Sequence, residues 1–177
     1  MSVNPTLTRD PITNELFPLS LPNEVFVLRR DQIKFQATLP AFGTLKSRGI
    51  FYLTNKRLVF VTTSDSNRAD FVSMEAHFGE ISEIPKFEQP IFGANYLSIL
   101  TRDGAKIFLT FYAGGAGTFL PVFYSLFETG RAADGLTTSP LLRAVAEGRA
   151  GSLAFVDPND PSVFYVTQPR VASRLAE

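Results

Sequence analysis

The stretch RGIFYLTNKRLVFVTTS, residues 48–64, decides how the rest of the chain reads. It holds two strand-like segments rich in β-branched and aromatic residues, with only Asn55 and Lys56 between them. Phe51, Leu53, Leu58 and Phe60 alternate with Tyr52, Thr54, Val59 and Val61, so each segment offers two usable faces, the period-2 signature of paired strands. Asn55 is expected to supply the left-handed backbone that a tight two-residue turn requires. The stretch therefore predicts a β-hairpin.

Working outward, EVFVLRR and QIKFQATL predict one long or broken strand over residues 24–39, followed by a loop, PAFGTLKSR, over 40–48. Downstream, FVSMEAHF, ISEIPKFEQ, NYLSILTRD and AKIFLTFY continue the pattern, and Asp103-Gly104 gives the last two a favoured hairpin turn. About seven strands result. Beyond Tyr112 the glycines end the strand pattern, and TFLPVFYSLFETG, residues 118–130, sets Phe119, Phe123, Leu126 and Phe127 on one face at helical spacing. Thr118 can cap that helix, Pro121 lies in its first turn, and Gly130 can end it. The expected fold class is mainly β: a PH-like seven-stranded antiparallel barrel or sandwich capped by one C-terminal amphipathic helix, whose apolar face plugs an open end. A short helix over SPLLRAVAEG, residues 139–148, and an extended tail follow. The expected domain bounds are an extended N-terminal arm at 1–22, carrying Pro5, Pro11, Pro18 and Pro22, the barrel domain at 23–131, and the proline-containing tail at 132–177.

Composition removes several function classes. With 17 basic and 17 acidic residues there is no global field to draw nucleic acid or an anionic surface, so electrostatic arguments must be local. The absence of cysteine excludes disulfides, a thiolate zinc site and a cysteine nucleophile. The single histidine, His77, lacks partners for a metal cluster and receives no role. Glu75, Glu80, Glu83 and Glu88 are scattered without a converging partner, and no GxSxG elbow occurs. The glycine-rich AGGAGT, residues 113–118, lacks the Lys-Ser/Thr of a phosphate loop and the third glycine of a dinucleotide fingerprint. The chain thus reads as a non-enzyme with no cofactor and no metal. MSVNPTLTRDPITNELF lacks a basic stretch followed by an apolar one and does not read as a secretory signal, and the uncharged run 107–127 breaks at its central glycines, so it reads as two buried elements rather than a membrane span.

Four strings, NEVFVLRRDQIKF, GIFYLTNKRLVFV, QPIFGANY and LTFYAGGAGTF, stand in an order that resembles the GRAM-domain proteins related to WW-domain-binding protein 2. A fifth, FVDPNDPSVFYVTQP, resembles the tail of compact members, so the likeness runs from Asn23 to Pro169. The resemblance implies a PH-like GRAM domain, no catalytic activity, and an adaptor role in cytoplasm and nucleus through protein partners, as a transcription coactivator-like factor. In the name-giving member, proline-tyrosine motifs recruit WW domains. No PPxY string occurs here.

Two candidate sites follow. Lys34, Lys46 and Arg48 lie on the first strand and around the first hairpin, where many PH domains hold inositol phosphates; three converging cations suit an anionic lipid headgroup, and solvated surface charge gives the same pattern. Arg29, Arg30, Lys56, Arg57 and Arg68 read chiefly as solvated edges. In the tail, Pro158, Pro161, Phe164 and Tyr165 either pack back on the domain or present a linear peptide to a partner. EQPIFGANYLSI, residues 88–99, reads as a bent connection with Ile91 and Phe92 filling core space, the alternative being a ligand-contacting loop. No sequence-specific nucleic-acid contact is expected, and peripheral membrane association remains the second functional reading.

Overall fold

The computed structural model describes residues 1–10, 14–22, 24, 26–64, 66–111, 120, 123–124, 126–128, 154–157 and 160–166. The chain is mainly β. Short strands β1 (Ser2–Val3), β2 (Leu7–Arg9) and β3 (Leu16–Pro18) come from the arm. Seven more follow between Phe26 and Phe111: β4 (Phe26–Leu39), β5 (Gly43–Thr54), β6 (Arg57–Ser64), β7 (Ser73–His77), β8 (Lys86–Glu88), β9 (Asn95–Leu100) and β10 (Lys106–Phe111). Eight strands pair antiparallel in the order β1-β7-β6-β5-β4-β10-β9-β8, while β2 and β3 form a small separate sheet. Within 26–111 the expected seven strands are present; the arm and the tail supply the rest.

The hairpin of residues 48–64 uses both of its faces. Phe51, Leu53, Leu58 and Phe60 enter the main core, where Phe35 stacks on Phe60 at 4.5 Å and on Phe71 at 5.4 Å. Ile50, Tyr52, Val59 and Val61 form a second cluster that Phe17 and Phe26 cover. That second cluster explains why the arm lies on the domain: a strand pair apolar on both faces needs a lid, and β2–β3 supply one. The turn itself differs from expectation. Asn55 does not have a positive φ; instead the Thr54 hydroxyl accepts hydrogen bonds from the backbone N–H groups of Lys56 at 3.0 Å and Arg57 at 2.9 Å, so a side-chain oxygen closes the turn.

The expected loop at 40–48 is shorter than its composition implied. Gly43, with φ +76°, makes the turn, and β5 begins there, which places Lys46 and Arg48 on a strand. At the other hairpin, Gly104 takes φ +87° as the Asp103-Gly104 pair predicts. Leu120, Phe123, Tyr124, Leu126, Phe127 and Glu128 have helical backbone, and Phe123, Leu126 and Phe127 are buried in the main core, Phe127 meeting Phe78 edge-on at 5.9 Å. Thr118, Phe119, Pro121, Gly130, the AGGAGT stretch and residues 139–148 lie outside the described residues. Where an extended tail was expected, β11 (Ala154–Asp157) and β12 (Asp160–Val166) form an antiparallel pair, and β12 adds to β4 with Val163 opposite Arg30 and Phe164 opposite Arg29. Among the described residues, no helix is long and apolar enough to cross a membrane.

Candidate functional site

Directly opposed residues of an antiparallel pair share a face of the sheet, so strand register decides which side chains can act together. β4 and β5 pair Lys34 with Arg48 and Gln36 with Lys46. All three sequence-derived candidates are exposed, on one face, within two adjacent rungs. Cβ atoms of such opposed pairs stand about 5 Å apart, so Lys34 and Arg48 set two like charges close together on this face.

The same rungs run further. β10 pairs Thr110 with Lys34, Phe108 with Gln36 and Lys106 with Thr38; β9 and β8 continue them through Tyr96 and Glu88, and through Ser98 and Lys86. Lys86 and Lys106 therefore join Lys34, Lys46 and Arg48 on one exposed face, with Glu88 as the acidic residue on these rungs. Among the described residues none of the four lysines is in an ion pair. Tyr96 and Phe108 lie half-buried between the lysines, ring centroids 5.8 Å apart and edge to face. The sequence alone did not mark Lys86 or Lys106, because their membership depends on pairing across strands far apart in the chain.

Beside Arg48 a cleft of about 440 Å³ is lined by Glu15, Arg29, Asp31, Gln32 and Thr63 among others. Its charges are already matched: Arg29 donates to Glu15 at 2.7 Å and to Asp31 at 3.0 Å. Two carboxylates there make the cleft a poor seat for an anion, and the open lysine face is the favourable side.

Several cations expected at solvated edges are not there. Arg30 and Arg57 are only 1% and 2% exposed. Arg57 Nε and Nη2 donate to the fully buried Glu24 carboxylate at 2.7 and 2.9 Å, Nη1 donates to Glu75 at 2.5 Å, and Nη2 also reaches the Leu19 carbonyl at 2.7 Å. Lys56 Nζ donates to the Pro22 carbonyl at 2.7 Å. These basic residues fasten the arm to the barrel, and guanidinium geometry suits that bidentate task. Arg29 and Arg68 are likewise committed, to Glu15 and to Asp70. Burying Glu24 and Arg57 together is possible because each neutralises the other.

His77 and Arg57 hold the Glu75 carboxyl down to about 2, and Glu75 in turn raises His77, whose Nε2 stands 3.6 Å from the carboxylate. A carboxyl lowered in the folded state contributes stability that is present above its unfolded value and lost as pH falls. Acid unfolding should therefore draw on this group between about pH 5 and pH 2. Urea midpoints of Glu75→Gln and the parent chain should differ at pH 6, differ less at pH 3 and converge only near pH 2; a constant difference would show that Glu75 does not carry the acid limb.

The tail candidates separate into two groups. Pro161, Phe164 and Tyr165 belong to β12, which is paired to β4 and β11, whereas Pro158 lies outside the described residues. The QPIFGANY stretch contradicts its expected packing: Ile91 and Phe92 are 94% and 91% exposed, not core residues. β8 is only three residues long, so the chain leaves the sheet after Glu88 and returns at Asn95, and the intervening segment has no ladder partner to hold it against the core.

No family model matches the chain, and no curated protein matches it. Among solved structures it is similar to the C-terminal domain of an unknown protein from Leishmania infantum, at 16% identity and a TM-score of 0.35, over 55% of this chain and 83% of that one.

Proposed function

We propose that this chain is a non-enzymatic binding module on a PH-like, GRAM-type barrel over 23–131, and that its ligand is the phosphate-rich surface of an anionic membrane, met by Lys34, Lys46 and Arg48. The PH-like reading is supported by seven antiparallel strands between Phe26 and Phe111, followed by helical residues whose Phe123, Leu126 and Phe127 sit in the core. The functional reading rests on one observation: Lys34 and Arg48 are directly opposed, with Lys46 on the next rung of the same exposed face. Arginine offers a planar fork for phosphate oxygens and lysine a mobile point charge, so the set can meet headgroups from several directions. The binding would be peripheral and salt-sensitive.

Its test is co-sedimentation with phosphatidylcholine vesicles containing phosphatidylserine and a phosphoinositide. Lys46→Glu with Arg48→Glu should reduce pelleting roughly tenfold or more, since about 1 kcal/mol is carried by each basic residue near an anionic surface and reversal removes more than neutralisation. Unchanged pelleting removes the proposal.

A second reading, a protein–protein adaptor of cytoplasm and nucleus that serves transcription as in the family the chain resembles, is favoured by the position of β11 and β12. A strand pair added at the side of β4 is a form in which a chain can offer backbone hydrogen-bonding groups to a partner strand. Deleting residues 153–177 discriminates: lost partner pull-down with an unchanged melting temperature supports this reading, and a large drop in melting temperature assigns the tail to packing.

A further inference from the structure

The most exposed apolar side chains in the described structure, Ile91 and Phe92, stand side by side in the β8–β9 loop. Two such residues together, each more than nine-tenths open to water, are a standing hydrophobic cost that no packing among the described residues relieves. Gly93, at φ +100°, turns the backbone immediately behind them, and no atom approaches within 4 Å of where its Cβ would lie, so the loop projects rather than folds back. The segment Gln89–Ala94 contains no charge, so its immersion would bury none.

The position of the loop ties it to the cationic face. It leaves β8 at Glu88 and enters β9 at Asn95, and Glu88 lies on the rung that runs through Tyr96 and Thr110 to Lys34 and Arg48. At about 4.8 Å per strand, Lys34 is roughly 14 Å across the sheet from Glu88. One broad anionic surface can meet both. Tyr96, beside the loop, is half-buried and carries the amphipathic ring that suits the boundary between water and lipid. Phe42, exposed at the opposite end of the sheet, differs in that the Arg68 guanidinium lies over its ring at 5.6 Å.

We infer that Ile91 and Phe92 are a membrane-inserting tip: when the lysine face meets an anionic bilayer, these two side chains enter the acyl boundary and slow release. The occupant is a bilayer rather than a protein pocket because the adjoining face is exposed and cationic and the tip is uncharged, the pairing of charge attraction and shallow apolar insertion by which peripheral proteins hold to membranes. This inference rests on the anionic-membrane reading of Lys34, Lys46 and Arg48.

The sequence has no tryptophan, so Phe92→Trp places a lone reporter at the tip of the full-length chain. With vesicles of phosphatidylcholine, phosphatidylserine and a phosphoinositide, its emission should shift to shorter wavelength and be quenched by brominated acyl chains. Ile91→Ser with Phe92→Ser should weaken vesicle binding by roughly tenfold or more, from the loss of two buried apolar side chains, with the melting temperature unchanged because both residues are exposed. If the parent chain binds these vesicles and Lys46→Glu/Arg48→Glu abolishes binding, but the serine variant binds as the parent does and the reporter does not shift, the tip inference fails while the membrane reading stands. If the parent chain does not bind the vesicles, both fail.

Discussion

Arg57→Met should lower the stability of the whole domain by about 3–5 kcal/mol, the cost of leaving a buried carboxylate without its partner. Glu24 is fully buried and its carboxylate accepts two hydrogen bonds from Arg57, one from the Thr54 hydroxyl at 2.9 Å and one from the Leu21 backbone N–H at 3.1 Å. Burial alone would favour a neutral Arg57; Glu24 and Glu75 more than reverse that and raise its pKa, so the guanidinium stays charged inside the protein. Removing one leaves the other with no solvent to turn to. For a chain of this size the loss corresponds to a fall in melting temperature of roughly 10 °C or more. The double variant Glu24→Gln/Arg57→Met should recover part of the loss, because it removes the orphaned charge as well as the pair. Additive losses in urea titrations of the two single variants and the double would show that Glu24 and Arg57 are not coupled. The local consequence is equally specific. Arg57 also holds the Leu19 carbonyl, so its loss should free the arm, and trypsin should then cleave at Arg9 faster than in the parent chain.

That network also marks where sequence reasoning stops. The alternation over residues 50–61 placed the hairpin and assigned each residue to a face, because period-2 patterning is local. It could not say that Arg57, on the side that carries Val59 and Val61, would find Glu24 more than thirty residues upstream and be buried with it. Charge read along a strand looks solvated unless its partner is known, and a partner's identity is tertiary information. The same limit separates the five cations of the candidate site. Lys34, Lys46 and Arg48 were legible together because β4 and β5 are consecutive and their hairpin fixes the register. Lys86 and Lys106 join only through β8, β9 and β10, after those strands have paired. Ile91 and Phe92 were misassigned for a different reason: residue type argues for the core, but a segment between Pro90 and Gly93, with no strand to carry it, follows backbone geometry first. Apolar character predicts burial only where the ladder can deliver the side chain inward.

Gly49→Ala should be the most damaging of the conservative substitutions, lowering stability by about 3 kcal/mol or more, at or beyond the upper end of the overpacking range. A Cβ at residue 49 would collide with the Val61 carbonyl oxygen and stand 2.9 Å from both the Phe60 ring and the Thr62 Cα. Two of those three atoms are backbone of β6, and the third belongs to a ring stacked on Phe35 in the core, so none can yield cheaply. The register of β5 against β6 shifts between Arg48 and Gly49, and the close approach at Gly49 is part of that irregularity. Relief would require β5 to move away from β6, carrying Arg48 out of line with Lys34. The substitution should therefore weaken vesicle binding as well as lower the melting temperature, with the two losses appearing together even at a temperature where the variant is still folded. Gly79→Ala is the control, since nothing lies within 4 Å of its added methyl group and its φ is not in the left-handed region; its stability should stay within about 1 kcal/mol of the parent. If circular dichroism melts show Gly49→Ala unfolding no earlier than Gly79→Ala, β6 does not close off the space that a methyl group at residue 49 would need. If Gly49→Ala melts early but binds vesicles as the parent does when folded, the alignment of Arg48 with Lys34 is not what the membrane reads.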